Sequence, residues 1–296
     1  MIPLGQFFAT YGFRTTFFAV LLVGLFAGGA GSFLYMRAQS LMSDVMGHSA
    51  ILGVVGAFAL AASLGANGQS TLVISLGAAA SAFVAVALTN WVVAHTPTKP
   101  DAAMAVALSL FYGGGLCAIH ILNHSKLPGK AGIMSYLFGN AATVRAVDLY
   151  TVAVLGAVAT LVVAALWKEI AVLVFDPVLA RVGGFRPRLV DAVLTGVVTI
   201  AIVLGVKSVG MILVVAFALM PAAVVRPFVS SMLGMVAASA GVGALAGACG
   251  AYLSISMGNV PTGPIVVLVL FAGFLASLAV RALRNWRTGV GTEVAA

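Results

Sequence analysis

Apolar residues gather into nine runs along the chain, near 16–36, 48–66, 71–94, 102–123, 148–175, 189–207, 211–226, 231–254 and 263–284. Polar residues fall mainly between the runs. Inside a run nothing alternates with a period of two, so the pattern predicts helices rather than half-wet strands. Most runs are long enough to cross a hydrocarbon core of about 30 Å. The 211–226 run is short and Pro221 interrupts it. It reads equally as a broken helix or a re-entrant segment. The links at 67–70 ("NGQS") and 208–210 ("SVG") are very short, which predicts antiparallel neighbours.

Composition fixes the solvent. The chain is 62% hydrophobic and 7% charged, against about 25% charged in an average soluble domain. Water cannot solvate such a surface, so lipid must. Backbone groups in lipid pair only internally, which leaves helices or a closed barrel. The reading is all-α: one polytopic membrane bundle over residues 1–296, with eight or nine transmembrane helices. A cytoplasmic segment at about 176–186 separates two spans, and a short flexible tail follows at 288–296. The N-terminus has neither the basic region nor the small-residue cleavage site of a signal peptide.

The net charge of +8 is scattered over the links. That pattern suits cytoplasmic loops, and no nucleic-acid partner is expected. With the 176–188 link inside and all nine runs crossing, Arg37, Lys99, Lys168, Arg181, Arg186, Arg188, Arg226, Arg281, Arg284 and Arg287 fall inside. Arg14, Lys126, Lys130, Arg145 and Lys207 fall outside. This bias puts the N-terminus outside; an extra re-entrant piece within residues 2–13 would restore an inside start. Cys117 and Cys249 lie in apolar runs and read as small buried hydrophobes with no disulfide. Gly24-xxx-Gly28 and Gly243-xxx-Gly247 have the spacing that lets helix backbones approach closely in lipid.

Three stretches carry candidate chemistry. In "SLMSDVMGHSAILG" (40–53), Asp44 and His48 are four residues apart. On a helix they share a face. An ionisable residue in a span costs about 2.5–3.5 kcal/mol on insertion scales, so it faces a cavity or a partner. Carboxylate plus imidazole suits Zn²⁺, Mn²⁺ or Fe²⁺. Two ligands leave the site open, which suits an ion in transit. An internal Asp–His hydrogen bond, or a proton relay, fits the spacing as well.

In "FDPVLARVGGFRPRL" (175–189), Asp176 can cap a short helix that Pro177 opens and Gly183-Gly184 closes. With Arg181 beside it, the segment reads as a docking element or as an ordinary basic loop. In "AIHILNH", His120 and His124 are also four apart. They read as interfacial residues, with an accessory metal site as the alternative. No G-x-x-x-x-G-K-[ST], H-E-x-x-H or G-x-S-x-G motif occurs. The chain therefore does not read as an enzyme: these residues argue against P-loop ATP hydrolysis and against a zincin-type intramembrane protease.

Taken in order, several of these stretches resemble the permease subunits of bacterial ABC importers for manganese, zinc or iron(II). The likeness runs roughly from Gly31 to Arg281. "SLMSDVMGHSAILGV" is similar to the family's Ser-Leu-x-Gly-Asp-x-x-x-His-Ala segment. "SYLFGN" (135–140) is similar to its Leu-Phe-Gly loop, and "FDPVLARVGG" to its Phe-Asp-Pro-x-x-Ala-x-x-x-Gly loop. "GMILVVAFALMPAAVVRPF" and "NVPTGPIVVL" resemble its two C-terminal signatures.

The resemblance implies a type II importer-like bundle, working as a homodimer. It also implies a separate cytoplasmic ATP-binding subunit, an extracytoplasmic metal-binding protein, and no permanently bound cofactor. Asp44 and His48 stand at its pathway metal positions, and Asp176, Pro177, Ala180, Arg181, Gly183 and Gly184 at its ATPase-coupling segment. Asp101 falls where the family often has an Asp opening a span. Ser43 stands where the family has Gly, and Gly47 precedes the histidine; neither change removes a ligand. A secondary carrier with Asp44 and His48 as a proton relay is the competing expectation.

Overall fold

The computed structural model describes residues 4–65, 68, 70–125, 146–184, 186–258 and 260–288. Among them there is no strand. The helices are α1 (Leu4–Ala9), α2 (Tyr11–Met36), α3 (Ser40–Ser63), α4 (Thr71–His95), α5 (Pro100–His124), α6 (Ala146–Ala165), α7 (Trp167–Phe175), α8 (Pro177–Val182), α9 (Pro187–Val209), α10 (Met211–Val225), α11 (Met232–Met257) and α12 (Thr262–Thr288). A 3₁₀ turn, Arg226–Phe228, follows α10. Eight helices among the described residues are long and apolar enough to cross a membrane: α2, α3, α4, α5, α6, α9, α11 and α12.

The short 211–226 run neither breaks nor turns back: it forms the continuous helix α10. Leu213, near the start of α10, lies against Gly263 at the start of α12. Val225, at its end, packs with Tyr35 and Met36 at the end of α2. The helix therefore runs the length of the bundle. At 15 residues it spans only about 22 Å, short of a hydrocarbon core of about 30 Å. Here the surroundings are protein: Val214, Phe217, Ala218 and Ala222 are all fully buried.

The 148–175 run, by contrast, is not one helix. It breaks at Leu166 into α6 and α7. Twenty residues already span about 30 Å, and Trp167, Lys168 and Glu169 then take the chain to the interface, where such side chains are favoured.

Small residues hold the centre. α2 and α11 are antiparallel, and the two glycine motifs meet each other. Gly24 sits on the backbone of Gly243, Gly28 on Ser239, and Gly247 on Val20. Gly53 of α3 meets Gly77 of α4 in the same way. There Ser81 Oγ donates to Ser49 O at 2.7 Å. α5 runs parallel to α3, with Gly115 against Ile51.

One end of the bundle collects the links 37–39, 96–99, 166–186 and 226–231. All ten residues expected inside lie toward this basic end, while Arg14 and Lys207 lie toward the other. Lys126, Lys130, Arg145 and the "SYLFGN" loop fall outside the described residues.

Two expectations change. No re-entrant piece restores the N-terminus: α1 has six residues, about 9 Å of helix. It stays beside the end of α11 away from the basic end, with Phe7 against Tyr252 at 5.2 Å. Cys117 and Cys249 are free and exposed rather than buried. Both sit on outward helix faces, where lipid solvates an apolar side chain as well as a core does.

Candidate functional site

The first turns of α3 sort their side chains sharply. Ser43 and Gly47 face inward: Ser43 is fully buried, and Gly47 lies against Val215 and Ile202. Val45 and Met46 are also fully buried. Asp44 and His48 are only partly buried, on a stripe with Leu41 and Leu52 that the neighbouring helices leave incompletely covered. One helical turn separates the backbones of Asp44 and His48, about 6 Å along the axis, and their side chains attract one another.

α5 supplies the wall. The Tyr112 ring meets His48 edge-on, with centroids 5.0 Å apart. Gly113 and Gly114 follow it, and Gly115 lets α5 close onto Ile51. His48 Nδ1 is buried without a hydrogen-bond partner. An orphaned buried nitrogen is costly, and a cation or a water is what satisfies it. Among the described residues no three His, Cys, Asp or Glu side chains converge. The site offered by one chain is therefore a pair. Tyr112 was not legible in the sequence, because its place depends on how α5 docks on α3.

The 176–184 segment folds as its local chemistry dictates. Asp176 Oδ1 accepts from the backbone N–H of Val178 (3.0 Å) and of Leu179 (2.9 Å). Pro177 opens α8, Gly183 caps it, and Gly184 takes φ +77°. Ala180 is buried against the bundle, whereas Val178 (67% exposed), Leu179 (55%) and Val182 (81%) are not covered. With Phe175 and Arg181 they form an apolar and basic patch at the basic end. Beneath it, Ile170, Leu173, Val190, Leu194, Phe33 and Met232 form one cluster, which fastens the segment to α2, α9 and α11.

His120 and His124 come together at the opposite end, with ring centroids 4.4 Å apart. His124 Nδ1 is 2.9 Å from the carbonyl oxygen of His120. Asp101 lies in the first turn of α5, at the basic end, and is exposed.

A seamed bundle of eight membrane-length helices, with an ionisable pair inside one of them and an exposed apolar and basic patch at one end, has the architecture of a polytopic membrane protein. The sequence profile of the ABC 3 transport family matches residues 10–281, and the chain belongs to that family. It is 32% identical over 278 residues to the zinc transport system membrane protein TroC of Treponema pallidum (strain Nichols), covering 94% of this chain and 92% of that one. It is 32% identical over 258 residues to the manganese transport system membrane protein MntC of Bacillus subtilis (strain 168), covering 87% of this chain and 58% of that longer one. Among solved structures it resembles a chain of PsaBC from Streptococcus pneumoniae in complex with Fab. There the TM-score is 0.79 at 26% identity, over 93% of this chain and 95% of that chain.

Proposed function

We infer that this chain is the permease subunit of an ATP-driven importer of divalent transition-metal ions, Mn²⁺ or Zn²⁺ and by ligand chemistry also Fe²⁺. Family membership supports the class, and the relatives' cargoes support the metal. The observation that carries the reading to residues is the Asp44–His48 pair, with an orphaned imidazole nitrogen on a half-covered face of a span. Oxygen and nitrogen donors suit these ions. A complete shell would trap the ion, whereas two donors can hand it on.

A second copy of the chain, meeting the uncovered α3 stripe, brings a second pair and closes the pathway between the two subunits. An extracytoplasmic metal-binding protein delivers the ion at the end bearing His120 and His124. A cytoplasmic ATP-binding subunit docks at the basic end, in the inner membrane of a bacterium. Its contact is the α8 patch, where Phe175, Val178, Leu179 and Val182 stand uncovered beside Arg181. Isolated hydrophobes on a surface need no explanation, but a contiguous rimmed patch marks a partner.

Reconstitution tests the class. Proteoliposomes holding this chain alone are expected to accumulate no metal under an imposed proton or sodium gradient. Adding the ATP-binding subunit, the metal-binding protein and ATP is expected to start uptake. Gradient-driven uptake by the chain alone would establish the secondary carrier instead.

Asp176→Arg tests the docking patch. It removes the cap, worth about 1 kcal/mol, and puts a cation at a helix N-terminus, where the dipole disfavours it. The expected result is loss of the ATP-binding subunit on co-purification, with the permease itself at normal abundance. Retained co-purification and uptake would remove the patch from the mechanism.

A further inference from the structure

The corner between α2 and α3 is built under strain. Arg37 caps α2, and Ala38 takes φ +53°, a left-handed conformation that side-chain-bearing residues avoid. Two backbone bonds close the turn: Ala38 N–H donates to Tyr35 O (3.1 Å) and Gln39 N–H to Leu34 O (2.9 Å). This is the turn in which glycine is usual. α3 starts at once, at Ser40, and Asp44 follows one turn later.

Arg37 reaches across to α9. Its guanidinium lies 2.6 Å from Asp191 Oδ1, with the side chains 21% and 31% exposed. The contact is electrostatic rather than a well-aligned hydrogen bond, since the same oxygen has no partner of hydrogen-bond geometry. Asp191 sits in the second turn of α9, directly after the segment that holds α8. The chain has only seven acidic residues, so a charge pair at this corner is conspicuous.

We propose that Arg37 and Asp191 are positioning residues for transport: a strut that carries movement of the 176–184 segment, through the foot of α9, to the α2–α3 corner and so to Asp44 and His48. The geometry supplies each link. α8, which ends at Val182, joins α9, which starts at Pro187, through the four-residue link 183–186. α9 meets Arg37 through Asp191. Arg37 meets α3 through a two-residue corner whose backbone is already fixed in one strained conformation. Such a corner transmits a displacement instead of absorbing it. The cluster around Ile170 and Leu194 holds the same foot by packing, but packed side chains can slide. A charge pair resists separation in a single direction, along the line from α9 to the corner.

This proposal rests on the reading of α8 as the ATPase contact, and its test separates the two. The assembled transporter, in proteoliposomes, is assayed for ATP hydrolysis and for Mn²⁺ uptake in the same preparation. Removing one partner leaves a stranded half-buried charge, so the informative variant removes both: Arg37→Met with Asp191→Leu. A merely structural pair tolerates that exchange, because apolar residues of similar size replace buried ion pairs without loss.

The strut predicts that this double variant assembles and hydrolyses ATP at the normal rate. Mn²⁺ moved per ATP is expected to fall about tenfold, the scale of an interaction that organises a site from outside it. The exchange Arg37→Asp with Asp191→Arg is expected to restore most of the ratio. An unchanged ratio in the Met/Leu variant overturns the proposal, as does a low ratio that the charge exchange leaves low. If the Met/Leu variant does not assemble, the charge exchange decides alone: assembly with a normal ratio supports the strut, and assembly with a low ratio, or none, overturns it. Asp176→Arg in parallel reports on the docking patch. If it leaves hydrolysis and uptake intact, the patch reading fails by itself.

Discussion

Metal uptake is expected to fall by about tenfold or more when Asp44→Ala or His48→Ala replaces the native chain, since even outer partners of a metal site cost 10–100-fold in affinity. The reason is the thinness of the site. Within one chain no third His, Cys, Asp or Glu joins the pair among the described residues, so each donor carries a large share of the contact. Neither side chain holds the bundle together. Both stand on the partly covered stripe, while the buried face of the same turns belongs to Val45, Met46 and Gly47. Permease abundance and binding of the ATP-binding subunit should therefore be normal.

The measurement is accumulation of radioactive Mn²⁺ or Zn²⁺ in cells that lack other uptake routes, with permease levels checked in the same membranes. Normal uptake at normal abundance would falsify the pathway role. Tyr112→Leu offers a graded companion. It keeps an apolar wall but removes the ring from the face of His48, so a smaller decrease is expected than at His48 itself.

The second large effect concerns folding. Gly243→Leu is expected to remove almost all folded permease from the membrane. A Cβ at Gly243 would overlap the carbonyl oxygen of Gly24, and a Cβ at Gly24 would overlap that of Gly243. The obstacle is backbone against backbone, with no side chain able to turn away. Overpacking costs roughly 1–3 kcal/mol when neighbours can shift, and here two whole helices would have to separate. In lipid the close approach is itself the source of attraction, because no hydrophobic effect drives apolar helices together.

Gly241→Leu is the control. It lies on the same helix two residues away, with nothing within 4 Å of a Cβ, and should leave abundance and uptake unchanged. The comparison needs only the amount of monodisperse permease extracted in mild detergent. Equal yields of the two variants would mean that the α2–α11 seam does not hold the bundle.

Much of the fold is legible because lipid leaves few alternatives. A run of apolar residues at this length must be a helix, and the short links fix its neighbours as antiparallel. The local chemistry of Asp176, Pro177 and Gly183–Gly184 specifies α8 without help from the rest of the chain. Asp44 and His48 are conspicuous for a similar reason: in a chain this apolar, two ionisable residues one turn apart need a purpose. The end of the 148–175 helix at Leu166 is less legible, since hydropathy continues through Ile170, Val172 and Val174 after the span is complete. The passage of the 211–226 run is not legible at all. Its length argues against a span, and only its enclosure by protein reverses that argument.

By itself the sequence determined helices, their approximate ends, the basic end of the bundle, the α8 cap, and the two residues of the candidate site. These follow from interactions within a few residues, or from the solvent acting on each segment separately. Tertiary structure decided that the two glycine motifs face each other, that Tyr112 walls His48, that α10 needs no lipid-facing length, and that Arg37 meets Asp191. Each of those depends on which helix faces are turned together. Between apolar faces in lipid that choice is made by shape and close contact, which hydrophobicity along the chain does not encode.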